Sequence, residues 1–386
     1  MKIGDSRVVI MFITGLVMGA ASLLLSLTVP QVAGAASAEG KQAFQKLVEA
    51  VKKEGQLDLP TGTLAEKGAK EMTEAFKRRF GLTINVASTT GTMESQEFNK
   101  AVAETKGGIP PTYDLLDGSA ENVLNLIDAG GAEPIANWEI LLAEIVPEAY
   151  LVRHGVSPGP LAGYGFVWST RTLALLFNPK LISERELPRT WKEKGDPKYK
   201  GAFSVPPWIS AATMGILSYN KDEWLDIIRA VGRNKRDVLT YDAGVQLMML
   251  GELRFLYGNA GQFFEHKLRD PNAPIGMTFF SDITTVRQVM YVVRKGARHP
   301  NAAKLFTLWA SSAEAGRIFD KDSSIENVVL GKGATTEKIV AVLKERNIKP
   351  LSWFDNSQTL EKLRWFETKE GRDYARALAT AQREGK

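Results

Sequence analysis

Glycine, serine and threonine recur in five short turns, each at the point where a strand is predicted to end and a helix to begin. Helix N-termini carry unpaired N–H groups and the positive end of the helix dipole, so such turns attract anions and carbonyl oxygens. In any single turn, the hydroxyls are more simply explained as caps of their own helix. Five turns together favour the lining of a shared cleft, and they lie at residues 61–63, 88–92, 118–119, 210–213 and 258–261.

Tight binding of a small solute needs contacts from several of these turns at once. A dissociation constant of ~1 μM corresponds to about −8 kcal/mol, whereas one hydrogen bond contributes about 1 kcal/mol. We therefore predict that the turns converge on one ligand. The turn residues predicted to bind it are Thr61, Gly62, Thr63, Thr89, Thr90, Gly91, Gly118, Ser119, Ser210, Ala211, Thr213 and Asn259.

Two larger side chains complete the predicted binding set. Trp208 follows two prolines and could form a stacking wall or lid of the ligand site, or it could pack only against its own loop. Arg287 lies on a predicted strand and could clamp an anion, or it could form an ordinary surface salt bridge. Together with the donor-rich turns, Arg287 favours a small anionic or carboxylate-bearing solute.

The residues that most enzymes and metal sites need are scarce. The absence of cysteine excludes disulfides, thiolate metal sites, iron–sulfur clusters and cysteine nucleophiles. The three histidines, His154, His266 and His299, are scattered, so neither a metal site nor a cofactor is predicted. Residues 155–159 spell Gly-x-Ser-x-Gly, but Pro158 lacks the N–H that an oxyanion hole needs at that position. We predict that the protein is not an enzyme, with an exported hydrolase or lyase as the alternative.

The composition is that of an ordinary globular protein. The chain has 386 residues, 49 Lys plus Arg, 44 Asp plus Glu and 44% hydrophobic residues, enough for two domains or lobes with their own cores. The basic residues are interleaved with acidic ones, and the densest basic runs are short. No nucleic-acid partner is therefore predicted.

The N-terminus resembles an export signal. Lys2 and Arg7 precede an uncharged stretch over residues 8–29, and small-residue cleavage patterns follow at 33–38. We predict that residues 1–35 are a cleaved signal peptide and that the mature protein is periplasmic. The uncharged stretch exceeds the usual ~7 to 15 residues of a signal peptide, so an uncleaved anchor of a sensor ectodomain is the alternative.

Apolar periodicity indicates an α/β fold that would bring the turns together. Strand, polar turn and helix alternate three times over residues 44–130, with strands predicted at 57–59, 82–86 and 113–116. This alternation predicts a mainly parallel sheet flanked by helices, with ligands at the carboxyl ends of the strands. A long buried strand over 166–177, a second αβ region and a helical C-terminal tail account for the rest.

Two segments resemble the type II solute-binding proteins of bacterial ABC importers, a group that includes ferric-iron, thiamine, polyamine and phosphonate binders. One segment resembles the entry into the second lobe of that family and the other resembles the return into the first lobe. The first segment contains Phe177, Asn178, Pro179, Leu187, Pro188, Thr190, Trp191, Asp196, Pro197, Lys198, Tyr199, Lys200 and Gly201. The second contains Val292, Val293, Lys295, Gly296, Ala297, His299, Pro300, Asn301, Ala302, Ala303, Lys304, Leu305 and Phe306.

This resemblance implies a fold with two lobes and a ligand in the cleft between them. The chain would cross between the lobes near Thr172 and again near Val286. The predicted parts are a signal peptide (1–35), a first lobe (36–171 with 289–320), a second lobe (172–288) and a helical tail that packs mainly on the second lobe (321–386). The implied partners are a small solute and the transmembrane subunits of an ABC permease, and the protein is expected to be a monomer.

The resemblance leaves three kinds of solute open. Ferric-binding relatives carry adjacent tyrosines after a Gly-Asn segment, whereas Gly258 and Asn259 lead here into alanine and glycine, and the sequence has no Tyr-Tyr pair. Asp117, Asp242 and Trp208 could serve a polyamine instead. An anionic or carboxylate-bearing solute is preferred, with iron(III) and polyamine binding as the alternatives.

Overall fold

The computed structural model describes residues 37–62, 64, 66–322 and 325–386. The predicted signal peptide at 1–35 and the predicted site residue Thr63 lie outside these residues. Nine strands are present within the described chain. They are β1 (Gln56–Thr61), β2 (Asn85–Thr90), β3 (Leu115–Ser119), β4 (Gly165–Phe177), β5 (Phe203–Val205), β6 (Asp237–Val238), β7 (Phe255–Asn259), β8 (Gly276–Thr278) and β9 (Val286–Val293).

Helices make up most of the remaining structure. They are α1 (Ala38–Glu54), α2 (Glu66–Phe80), α3 (Glu94–Gly107), α4 (Ala120–Asp128), α5 (Trp138–Ile145), α6 (Pro147–Tyr150), α7 (Arg153–Val156), α8 (Trp191–Lys194), α9 (Ser210–Thr213), α10 (Lys221–Asn234), α11 (Tyr241–Met249), α12 (Ala260–Arg269), α13 (Pro300–Ala310), α14 (Ala313–Asp322), α15 (Ala334–Glu345), α16 (Ser357–Trp365) and α17 (Lys369–Glu384). Short 3-10 helices lie at Gly159–Leu161, Glu184–Glu186, Pro197–Tyr199 and Met214–Leu217.

The strands form two sheets. β1 and β2 pair in parallel, and the larger sheet has the order β3-β9-β4-β7-β5-β6, with β8 also paired to β4. Parallel pairing, which the sequence predicts for most of the fold, is found for β1–β2, β5–β7 and β5–β6. The four antiparallel pairs all contain β4 or β9. The α/β class is confirmed, and the sheet is mixed because these two long strands run against their neighbours.

β4 connects the two parts of the larger sheet. Residues 165–172 of β4 pair with β9, and residues 173–177 pair with β7 and β8. A hydrophobic cluster on one side contains Phe76, Trp168, Tyr291 and Phe306. A second cluster, which includes Phe177, Trp191, Trp224 and Phe255, surrounds the other half of the strand.

Helix ends follow the local sequence. Gly55 ends α1 in a left-handed conformation, with φ of 69°, that glycine adopts without the strain of a side chain. The hydroxyl of Ser119 caps α4 by accepting from the N–H of Asn122. Several strand boundaries differ from the sequence prediction. β2 begins at Asn85 although Leu82 and Ile84 are buried before it, and β1, β2, β3 and β7 all extend into the turns predicted after them.

The C-terminal region is helical, as predicted. α15 contributes Ile339 and Leu343 to a hydrophobic cluster that also contains Val245 and Leu256, and α17 packs along α10. The residue limits of the lobes remain a prediction. Within the part of the chain that the structure describes, no helix is both long enough and apolar enough to cross a membrane.

Candidate functional site

A cavity of about 290 Å³ lies where β4 and β9 run side by side. This volume suits a small metabolite, since it is at the lower end of the usual range of ligand pockets. Residues of both strands line it, together with the first residues of α9 and α11, the end of β7 and the loop before α9. The lining residues are Arg171, Leu173, Trp208, Ser210, Thr240, Tyr241, Asp242, Asn259 and Arg287.

Arg171 and Arg287 form a pair of like charges at the cavity. They are directly opposite each other in the antiparallel register of β4 and β9. Like charges in this position destabilise a sheet. Both side chains are only partly exposed, so solvent screens their repulsion incompletely. An anion bound between the two guanidinium groups would relieve this repulsion.

Two carboxylates balance the charge of Arg287. Its Nη2 lies 3.3 Å from Oε1 of Glu94, and its Nε lies 3.9 Å from Oε2 of Glu121. Burial acts to lower the pKa of Arg287, but Glu121 and Glu94 outweigh it and the pKa is raised. Burial likewise acts to raise the pKa of Glu94, and the charge of Arg287 with donors from Ser119 and Asn122 lowers it overall. Arg287 is therefore firmly cationic and held in place.

Arg171 is less fully compensated. Burial, with the charge of Arg287, lowers its pKa despite the opposing effect of Glu326. Its Nη1 donates to the carbonyl oxygen of Thr170 at 3.2 Å. Glu326 is buried beside β4, where its backbone forms a bridge with Thr170, and its carboxylate accepts from the N–H of Thr172 at 2.5 Å. Arg171 is thus the cation of the cavity that would gain most from an anionic solute.

An aromatic wall borders the cavity. The rings of Trp208 and Tyr241 are 5.0 Å apart and perpendicular, with an interplanar angle of 88°. Trp208 is 38% exposed, which is unusual for a side chain of its size. Such a wall can contact the apolar part or the ring of a solute.

The N-terminal ends of α11 and α12 also border the cavity. Thr240 caps α11 and Asn259 caps α12. Oδ1 of Asp242 accepts from Nε2 of Gln262 at 2.7 Å, and this bond joins the two helix starts. The side chains of Thr240, Asp242 and Asn259 are therefore held by contacts within the protein.

The turns that follow β1 and β2 lie next to each other at the carboxyl ends of these strands. Thr61 is opposite Thr90 in the register, and its hydroxyl donates to the carbonyl of Thr89 at 3.4 Å. A side chain at Gly62 would overlap the carbonyl oxygen of Thr92, so the two turns touch. These residues, with Gly91, lie at one edge of the two-stranded sheet. They do not belong to the lining of the cavity, and their role in binding stays a prediction.

The other predicted residues divide into two groups. Trp208, Ser210, Asn259 and Arg287 line the cavity, and the N–H of Ser119 donates to the same Glu94 oxygen that faces Arg287. Three residues have structural contacts instead. A side chain at Gly118 would overlap Phe98, Ala211 is buried in the hydrophobic cluster, and the Thr213 hydroxyl donates to the carbonyl of Ser210.

Four lining residues were not selected from the sequence: Arg171, Leu173, Thr240 and Tyr241. A signal for Arg171 exists. The stretch Ser169, Thr170, Arg171 and Thr172 interrupts an otherwise apolar strand, which is unusual for a buried segment. Leu173, Thr240 and Tyr241 have no comparable local pattern, since only the tertiary fold brings them to the cavity.

A histidine and two carboxylates lie together away from the cavity lining. One ligand atom from each of Asp58, Asp114 and His299 lies within 4.8 Å of the others. Asp114 already accepts from the backbone N–H groups of Asp58 and His299, and Nδ1 of His299 is 2.8 Å from its Oδ2. Both Asp114 oxygens are thus engaged, and the cluster ties β1 to the start of α13.

Comparison with known proteins identifies the family. A family model described as bacterial extracellular solute-binding protein matches residues 71–328, about two thirds of the chain. The chain belongs to this family. It is a periplasmic solute-binding protein of an ABC transporter, as the two resembling segments indicate. No curated protein matches the sequence.

Solved structures of other solute-binding proteins have the same fold. Iron-bound HitA from Pseudomonas aeruginosa has a TM-score of 0.63 and 19% identity, covering 84% of this chain and 99% of its own. A Trichodesmium protein (IdiA, FutA) in complex with iron and citrate has a TM-score of 0.62 and 18% identity, covering 86% and 100%. AfuA from Actinobacillus pleuropneumoniae, with fructose-6-phosphate bound, has a TM-score of 0.60 and 16% identity, covering 81% and 98%. These similarities confirm the type II fold of the solute-binding protein.

Proposed function

We propose that this solute-binding protein captures a small anionic or carboxylate-bearing solute in the cavity between β4 and β9 and delivers it to the permease. The observation that carries this proposal is the like-charged pair of Arg171 and Arg287 on adjacent strands at the cavity. Guanidinium groups bind carboxylates and phosphates with charge-assisted hydrogen bonds. The wall of Trp208 and Tyr241 would contact the rest of the solute.

The protein is exported before it binds the solute. Residues 1–35 direct export and are removed, and the mature monomer works in the periplasm without catalysing a reaction. The lobes, 36–171 with 289–320 and 172–288, close on the solute, and the tail at 321–386 rests mainly on the second lobe. The transmembrane subunits of the permease are the macromolecular partners, and nucleic acid is not.

The charges and side chains of the cavity argue against a polyamine and against direct coordination of iron(III) by protein groups. A polyamine would approach two arginines, whereas Asp242 is the one carboxylate in the lining. Direct coordination of iron(III) by protein groups would rest on Tyr241 and Asp242, since the other phenol and carboxylate groups of the described residues lie outside the lining. HitA and the Trichodesmium protein are described with iron. Iron could enter this cavity as an anionic complex whose carboxylates face the arginines.

Mass spectrometry of the small molecule that stays bound through native purification tests the proposal. The expected finding is a molecule with at least one carboxylate or other anionic group, bound at one per chain and released unchanged. Arg171→Gln should retain much less of it than the wild type. Arg229→Gln is the matched control, because Arg229 is a surface residue paired with Asp226. Recovery of a polycation, or equal retention by Arg171→Gln, would contradict the proposal.

A further inference from the structure

The loop that carries Trp208 is hydrogen-bonded to the C-terminal helix. Nε2 of Gln382 on α17 donates to the carbonyl oxygen of Pro206 at 2.7 Å and to that of Trp208 at 2.9 Å. Nη2 of Arg383 donates to the carbonyl of Pro207 at 3.1 Å. Three successive carbonyl groups of the loop are therefore held by one turn of α17.

This loop depends on outside donors for its orientation. Pro206 and Pro207 have no N–H groups, so they cannot join the loop to a strand or helix by donating hydrogen bonds. Gln382 is only 4% exposed, and its amide would lose both partners if the loop rotated away. Removing a buried partner of this kind costs more than the hydrogen bond itself contributes.

α17 packs closely against α10. A side chain at Gly232 of α10 would overlap the carbonyl oxygen of Ala381, so the two helix backbones touch where they cross. Leu378 and Ala381 are fully buried in the same cluster as Ala212. The donors of Gln382 and Arg383 thus come from a rigid support.

We propose that α17 positions Trp208 as a wall of the ligand cavity and that Gln382 is the positioning residue. This inference rests on the proposed function, because it assigns Trp208 to the solute site. α17 lies beyond the residues that the family model matches, which end at 328. The C-terminal tail would therefore shape the binding site without contacting the solute.

Fluorine NMR of protein labelled with 5-fluorotryptophan tests the positioning without a ligand. The chain has eight tryptophans, and Trp208→Phe assigns the resonance of interest. Gln382→Met removes the donors while keeping the volume, and we expect it to shift and broaden the Trp208 resonance. Lys362→Met is the matched control. Lys362 makes a similar bond from the tail, to the carbonyl of Ile216 at 2.7 Å, away from the Trp208 loop.

An unchanged Trp208 resonance in Gln382→Met, or an equal change in Lys362→Met, would overturn the inference. The second measurement is the rate at which the natively bound solute is lost on dialysis, followed by mass spectrometry. We expect roughly fivefold faster loss from Gln382→Met, the effect of about one hydrogen bond, and no change from Lys362→Met.

The same comparison in a Trp208→Ala background separates positioning from a general structural role. There, Gln382→Met should have no further effect on solute loss, since the wall that it positions is already gone. A further effect of equal size would contradict the assignment. If the wild type holds no solute at all, the proposed function fails, while the fluorine spectra still decide whether α17 positions Trp208.

Discussion

The two arginines at the cavity have different surroundings, and their removal should therefore have different effects. Arg287 is balanced by Glu94 and Glu121, whereas Arg171 has a lowered pKa because of burial and the nearby Arg287. Removing Arg287 leaves two carboxylates without their cation at the site. Removing Arg171 relieves the repulsion between the two strands.

We expect Arg171→Gln to weaken binding of the natively recovered solute at least tenfold with little change in melting temperature. Arg287→Gln should weaken binding and also lower the melting temperature, since it leaves the partly buried carboxylates of Glu94 and Glu121 without their cation. Calorimetric titration and thermal unfolding measure the two effects. A clear loss of stability in Arg171→Gln with unchanged affinity would show that Arg171 has a structural role instead.

Lys194 is a buried cation away from the cavity. Its Nζ lies 4.7 Å from the ring centre of Trp191 and 4.8 Å from that of Phe203, and burial lowers its pKa from 10.5 to about 7. Because the folded-state pKa is depressed, the folded protein loses stability as the pH falls from about 10.5 to about 7. Lys194→Met should therefore raise the melting temperature by several degrees at pH 7, and the gain should shrink towards pH 10.

Lys192→Met, at an exposed position on the same helix, is the control and should change the melting temperature little. A lower melting temperature for Lys194→Met than for the wild type at pH 7 would mean that the contacts with the rings outweigh the desolvation of the ammonium group.

Glu326 is a buried acid whose effect on stability has the opposite pH dependence. Burial raises its pKa from 4.5 to about 7, against the hydrogen bond from Thr172 and the charge of Arg171, while Asp320 adds to the rise. The folded-state pKa is raised, so this group's contribution is fully present below about pH 4.5 and is lost as the pH rises through about 7. Glu326→Gln should become progressively more stable than the wild type over this interval, by up to about 3 kcal/mol.

Chemical unfolding at several pH values measures this difference. Glu345→Gln, at an exposed position on α15, is the control and should change the free energy of unfolding little. A difference for Glu326→Gln that is flat between pH 4.5 and 7 would contradict the raised pKa.

At the scale of elements, the sequence was most informative where the local pattern decides the structure. The apolar spacing before Gly55 predicts α1, and the largely apolar stretch at 166–177 predicts β4 almost to the residue. The Gly-Asn segment at 258–259 was predicted as a turn but forms the end of β7 and the cap of α12. The reason is that pairing of Gly258 and Asn259 with β4 outweighs their low strand propensity.

Features that depend on distant contacts could not be predicted. The antiparallel pairing of β9 with β3 and β4 joins strands that are far apart in the sequence, and the segment that resembles the return of the chain does not specify this register. The opposition of Arg171 and Arg287 follows from that register. Likewise, the contact of Gln382 with the Trp208 loop joins residues 174 positions apart.

The crossing of α10 and α17 offers a test of one such distant contact. Gly232→Ala should destabilise the protein by about 2 kcal/mol or more, because the new methyl group overlaps the carbonyl of Ala381. Gly316→Ala is the control. Gly316 lies within α14 with open space around the position of a methyl group, so this change should be neutral or stabilise by up to about 1 kcal/mol. Equal effects of the two changes on thermal unfolding would mean that the helices separate easily.

For the whole molecule, the path of β4 suggests how binding becomes a signal to the permease. β4 passes from its pairing with β9 to its pairing with β7 and β8 at residues 172–173, and Arg171 stands beside this point. A bend here would move one αβ region relative to the other, with each keeping its own hydrophobic cluster. A solute shifts the equilibrium between open and closed protein only if it binds the closed form more tightly. Changing the closed-to-open ratio from 1:99 to 99:1 requires that the solute bind the closed form more tightly by about 5.5 kcal/mol, which implies contacts from both αβ regions.

Small-angle scattering of the wild type should therefore show a smaller radius of gyration with saturating natively recovered solute than after its removal. Thr90→Val tests whether the turn after β2 contributes to this preference, and it should weaken binding while the fold stays intact. Arg171→Gln at the same solute concentration should keep the radius of the solute-free protein, because the anion no longer has its cation beside the bend. Identical scattering of the wild type in both states, measured with proven occupancy, would mean that capture proceeds without closure and that the permease must recognise the solute itself.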